Sequence, residues 1–199
     1  MIKPIAHRIS DFESLEKVPK DVGIEFDVHA YGNELVIAHD AFSSGILFSE
    51  FVKKASNRFL AINIKEEGIE EKVLEIVFNS KCENFFLFDV SVPQLFRLGK
   101  NFSKHLAFRC SQLEKIDYKY CRNYAEFLWL DTFDGTLWPS QEFLKNLKNL
   151  SYKICFVSPE LHRPPIGDHK IFQSTLLKYK TILSDEDLIC TKYYLWAIS

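Results

Sequence analysis

Short apolar runs along this chain repeatedly contain or end in a residue able to do acid–base, cation or anion chemistry. These residues are His7, Arg8, Glu25, Asp27, His39, Asp40, Asn63, Lys65, Asp89, Arg109, Asp131, Glu160 and Lys192. Charged side chains are seldom buried without partners, so a ring of mutually compensating acids and bases at one end of a fold accounts for them better than separate buried charges. Glu25 and Asp27 stand two apart in GIEFDV, which on a strand puts both carboxylates on one face. Side by side they repel, and a hard divalent cation such as Mg²⁺ or Ca²⁺ resolves that repulsion with the oxygen ligands it prefers. The competing reading turns one of them toward Arg8 or Lys65 as an ion pair. His7 and His39 are the candidate acid–base pair, because imidazole titrates nearest neutrality and each is followed directly by a charged residue. The other histidines, at 29, 105, 162 and 169, read as surface or packing residues.

The elements that must position these groups follow a repeated unit. A β-rich apolar run is followed by an amphipathic stretch. The strand candidates are residues 5–8, 23–28, 35–40, 59–65, 85–90, 105–110, 127–132, 152–160 and 188–192. Several are continuously apolar, as in parallel strands covered on both faces. Helical spacing of apolar residues appears over 44–56 and 68–80, and less regularly over 92–100, 111–121, 140–149 and 170–180, with Ser140 placed as an N-cap. Gly32-Asn33 between two strand-like runs predicts a hairpin. Strand alternating with helix implies an α/β fold with a parallel sheet. The number of strands favours a compact (β/α)8 TIM-type barrel over a doubly wound sheet, with one or two helices short or missing. Barrel chemistry sits at the C-terminal strand ends, where the polar residues lie. The stretch HRPPIGDH (162–169) then falls over the mouth, and Trp129, Phe133, Trp138 and Trp196 are candidate walls for a polyol or candidate core.

The whole chain, 1–199, reads as one domain. Lys+Arg 25 against Asp+Glu 27 excludes a generally basic nucleic-acid surface. Five scattered cysteines without a CxxC describe neither a disulfide framework nor a thiolate metal site, and the three in or beside apolar runs read as small buried apolar residues. Residues 1–10 lack the apolar run of a signal peptide, and no stretch approaches the ~20 apolar residues of a membrane span. The expectation is a cytoplasmic protein.

His-Arg near the N-terminus, then GIEFDVH, then NELVIAHD, together resemble the glycerophosphodiester phosphodiesterases within the phosphatidylinositol-specific phospholipase C-like phosphodiesterase superfamily. Their pattern is HRG, then E-x-D on the second strand, then a short hairpin and HD. The likeness continues through AINIK, where the family shows Glu-x-Lys, and at CTK near the end. FFLFDVS, AFRCSQLE and FVSPELH add a looser similarity to divergent members of the superfamily.

The resemblance implies a TIM barrel that hydrolyses a small glycerol, sugar or polyol phosphodiester. His7 and His39 would be its acid–base pair. Glu25, Asp27 and Asn63 would hold Mg²⁺ or Ca²⁺, with Asp89 or Glu160 as replacement ligands. Arg8 and Lys65 would contact phosphate, joined by Arg109 and Lys192. A hydroxyl of the substrate's own alcohol would attack phosphorus. Two departures stand out: Ile9 replaces the glycine after His-Arg, and Asn63 replaces a third carboxylate. A weaker cation site follows from the second. The alternative is a non-catalytic barrel that binds a phosphorylated sugar or glycerol compound. A further class, isomerisation or aldol cleavage through Lys65 or Lys192, would show as a borohydride-trappable lysine.

Overall fold

The computed structural model describes residues 2–197, without the side chains of Trp196 and Ala197. The apolar runs form strands and the amphipathic stretches helices. In chain order these are β1 (Lys3–Ala6), α1 (Phe12–Lys17), β2 (Gly23–Tyr31), β3 (Glu34–Ile37), β4 (Ile46–Leu47), α2 (Phe48–Ala55), β5 (Leu60–Ile64) and α3 (Glu70–Asn79). There follow β6 (Phe85–Phe88), α4 (Val92–Phe102), β7 (Ala107–Cys110), α5 (Tyr118–Cys121), β8 (Phe127–Leu130), α6 (Gln141–Asn149), β9 (Lys153–Val157), α7 (His169–Leu177) and β10 (Leu188–Thr191). No helix among the described residues is long and apolar enough to cross a membrane.

Eight strands run parallel in the order β1–β2–β5–β6–β7–β8–β9–β10, and β10 pairs with β1 again. This is the (β/α)8 arrangement. Regular ladders join every neighbouring pair except β6 and β7, which share a single parallel bridge, Leu87–Leu106. Side chains reinforce that seam. Below it, the His105 ring stacks on Phe85 at 4.2 Å, with Nδ1 3.2 Å from the Phe85 carbonyl oxygen. Above it, Arg109 of β7 grips Asp89, which follows β6. The hairpin at Gly32-Asn33 makes β3 the extra strand, antiparallel to β2.

Alternation separates two cores. Ile24, Phe26 and Val28 of β2 face the helices, whereas Ile5, Ala61, Phe86, Phe88, Trp129 and Cys190 fill the barrel. Small Ala and Cys stand beside large rings there, Ala61 next to Phe86 and Cys155 next to Trp129. All five cysteines are buried and free.

Three stretches depart from the sequence expectation. The helix expected over 44–56 begins only at Phe48, because Ile46 and Leu47 pair as β4 with Ile37 and Val36. Over 111–121 only Tyr118–Cys121 is helical. There Ser111 Oγ takes the amides of Leu113 and Glu114, and side-chain acceptors of this kind compete with helix formation. Conversely α1 carried no apolar period worth reading, yet Asp11 and Ser14 close a capping box on it.

Candidate active site

β1 ends at Ala6, and the chain turns at Arg8 with φ 61°, a left-handed conformation that is costly for a non-glycine residue. The turn wraps around one carboxylate. Arg8 donates its backbone N–H to Glu25 Oε2 at 2.8 Å, and His7 Nε2 lies 3.6 Å from the same oxygen. Ile9, at the position where a glycine was expected, packs in the outer core and donates its N–H to the Glu25 carbonyl.

Glu25 is 2% exposed, and burial, then the neighbouring Asp27 carboxylate, raise its pKa to about 8. Asp27 is likewise raised by burial, against the pull of Lys65, whose Nζ is 3.7 Å from Oδ1. Burial lowers His7 to about 3, helped by the charges of Lys192, Arg8, Arg163 and His39. Asn63 stands in register with Asp27 across the β2–β5 ladder, is 9% exposed, and leaves Oδ1 buried without a partner. His39 follows β3 and is half exposed, with Nδ1 2.6 Å from Asp40 Oδ1. That contact lowers the Asp40 pKa and leaves Nε2 as the free ring nitrogen.

Across the mouth Asp89, Arg109, Asp131 and Glu160 are matched within the protein. Asp89 takes a two-pronged contact from Arg109, at 2.6 Å to each oxygen from Nη2. Arg109 Nη1 donates to Asp131 at 2.9 Å, and Asp131 also receives the Thr132 N–H and lies 3.0 Å from His162 Nε2. Glu160 is enclosed by Ser158, the Thr191 hydroxyl at 2.6 Å and the Lys192 N–H at 3.1 Å. Lys192 Nζ turns to the Glu160 carbonyl.

His7, Arg8, Glu25, Asp27, His39, Asn63 and Lys65 therefore share one cavity of ≈ 370 Å³, and Arg109 lines its far side. Asp89, Glu160 and Lys192 do not line it, and each is committed to protein partners. The floor is Phe88 stacked on Trp129 at 3.9 Å. Trp138 is a packing residue whose indole N–H donates to the Asp131 carbonyl, and Phe133 lies against His162. Trp196 falls outside the described side chains. Sequence reasoning passed over His162 and Arg163, both of which line the cavity. The signal was their place in the Pro-rich stretch after β9, a loop expected over the mouth.

Among the described residues no three His, Cys, Asp or Glu side chains are arranged to hold a metal ion. The set here is two carboxylates and an amide. It nonetheless fits a hard cation: burial and the Asp27 carboxylate oppose ionisation of Glu25, burial opposes that of Asp27, and the Asn63 oxygen beside them lacks a donor. A divalent cation would satisfy all three.

No protein-family model and no curated protein sequence matches this chain. Solved structures do. The crystal structure of glycerophosphodiester phosphodiesterase from Agrobacterium tumefaciens covers all of this chain and is itself wholly covered, at 14% identity and a TM-score of 0.70. The glycerophosphodiester phosphodiesterase of Thermotoga maritima covers 100% of this chain over 98% of its own length, at 15% identity and a TM-score of 0.64. Over its whole length this chain has the fold of those two phosphodiesterases.

Proposed function

We propose that this cavity hydrolyses a glycerophosphodiester or a related small polyol phosphodiester, with Glu25, Asp27 and Asn63 holding Mg²⁺ or Ca²⁺. The observation that carries the reading is one cavity joining His7, His39, the Glu25 and Asp27 carboxylates and the unpartnered Asn63 amide oxygen. The fold shared with two solved phosphodiesterases supports it.

When bound, the cation would neutralise phosphate charge and acidify the attacking hydroxyl. The chain's own residues do the rest. Arg8 and Lys65 receive the phosphate oxygens as fixed positive charge. His7, which lines the cavity beside Glu25, takes the proton of the attacking hydroxyl. His39, held through Nδ1 by Asp40, gives a proton to the departing alcohol oxygen. Attack by a hydroxyl of the same alcohol closes a cyclic phosphate, which water opens with the two histidine roles reversed.

His7→Ala and His39→Ala should each lower phosphodiester turnover by ~10²–10⁴-fold, the usual range for acid–base groups, with little change in folding. Turnover is measured on glycerophosphodiesters with Mg²⁺ or Ca²⁺. A double alanine variant as active as the wild type would refute the assignment. A second reading, a barrel that binds a phosphorylated sugar or glycerol compound without turning it over, is favoured by the missing third carboxylate at Asn63. Phosphate affinity with no turnover on any diester would select it.

A further inference from the structure

The cationic side chains of the cavity differ in how they are matched. Arg109 is neutralised by Asp89 and Asp131, and Lys65 lies 3.7 Å from Asp27. Arg163 makes no ion pair or hydrogen bond with any described residue, yet it lines the cavity and its charge helps to depress His7. The exposed Asp40, which also feels Arg163, is hydrogen-bonded by His39 instead.

The position of Arg163 is built. It follows β9, which lies four strands round the ring from β5 and so faces Lys65 across the barrel. Pro164 and Pro165 come next and limit the backbone on its C-terminal side. The Ile166 N–H returns to the Pro159 carbonyl, and Gly167 packs directly on the backbone of Gly135 in the loop after β8, where a Cβ on Gly135 would strike the Ile166 carbonyl. Its neighbour His162 is held by Asp131. A guanidinium on a fixed loop gives a pre-organised fork for carboxylate or phosphate oxygens.

A phosphodiester carries one negative charge, and the proposed site already receives it at Lys65 on the opposite side and at Arg8, which follows β1 two strands round from β9. We infer that Arg163 recognises a second anionic group, so that the preferred substrate is a diester one of whose alcohols bears a carboxylate or a phosphate. This rests on the phosphodiester reading.

The test compares three diesters of glycerol phosphate that share one frame. Their second alcohol is glycerol, glyceric acid or glycerol phosphate. Binding is measured by calorimetry with Mg²⁺ in the His7→Ala/His39→Ala background, and turnover in the wild type. A charged diester should bind about tenfold more tightly than the glycerol diester, and the better of the two charged ones names the group. Arg163→Gln should bring that ratio close to one, while Arg163→Lys keeps part of it. Equal binding of charged and neutral diesters, or a preference untouched by Arg163→Gln, overturns the inference. If the wild type turns over all three diesters alike, the inference falls and the phosphodiesterase reading stands. If the charged diesters bind preferentially but none is turned over, the inference stands and the phosphodiesterase reading falls. If none binds, both are lost.

Discussion

The two sides of the cavity mouth use the same residue types to opposite ends. On the side of β1, β2 and β5, buried polar atoms are left in want of partners: the Asn63 amide oxygen and His7 Nδ1 have none, and burial opposes the ionisation of both Glu25 and Asp27. On the side of β6 to β9, Asp89, Arg109, Asp131 and His162 satisfy one another at hydrogen-bond distance. Charges satisfied within the protein do structural work, and here they latch the β6–β7 seam. Unsatisfied ones store free energy that a ligand can release. A strand-end charge therefore reveals its role only through its partners.

The sharpest way to break this contrast is Glu25→Gln. Glu25 holds a proton near neutrality in the cation-free protein, so the isosteric amide should leave urea stability unchanged. Cation-dependent turnover should nevertheless fall by ~10²-fold or more. A parallel loss of stability would show that Glu25 is structural.

Arg109→Ala should do the reverse. It strands Asp131 and opens the seam, and we expect a loss of about 3 kcal/mol in urea unfolding, toward the low end for a broken buried pair because Asp89 and Arg109 are partly exposed. Arg109→Lys should recover little of this, since an ammonium cannot span two carboxylates as a fork does.

Asn63→Glu should sharpen the other side. A third charge beside Glu25 and Asp27 should tighten Mg²⁺ or Ca²⁺ binding about tenfold in calorimetry without substrate, because charge count governs such sites. Unchanged affinity would remove Asn63 from the cation set.

The smallest effect is on pH. Between pH 6.5 and about 3 the unfolded chain takes up a proton that folded His7 refuses, so the stability present above 6.5 declines with acid. Folded Glu25 keeps its proton up to about 8, where an ordinary carboxyl loses it above 4.5, so stability present below 4.5 declines toward alkali. From 4.5 to 6.5 the two slopes oppose each other, and cation-free stability should peak there. Urea midpoints across that range check it, and Mg²⁺ should flatten the alkaline limb only.

The strands were legible because runs such as FFLFDV and FLWLDT are apolar on both faces. Glu25 and Asp27 were legible as neighbours because a strand fixes their common face. The helix starts were less so: Ile46 and Leu47 suit a helix as well as an edge strand, and only the backbone of β3 decides between them. His162 could not be separated from a surface histidine, since its partner Asp131 is 31 residues away in sequence. Nor could Arg109 be recognised as a latch, because nothing local announces that the ladder fails between β6 and β7.

That failure also divides the molecule. Four barrel strands, β1, β2, β5 and β6, come before it and four after, so the chain is a tandem of two half-barrels joined by the β1–β10 ladder and by the weak junction. A break in the Ser103–His105 turn would separate a piece carrying both proposed acid–base histidines from one carrying the Arg163 loop. Fragment complementation should then rejoin them, and exchanging only the second piece between related chains would alter which alcohol is accepted while leaving the phosphorus chemistry in place.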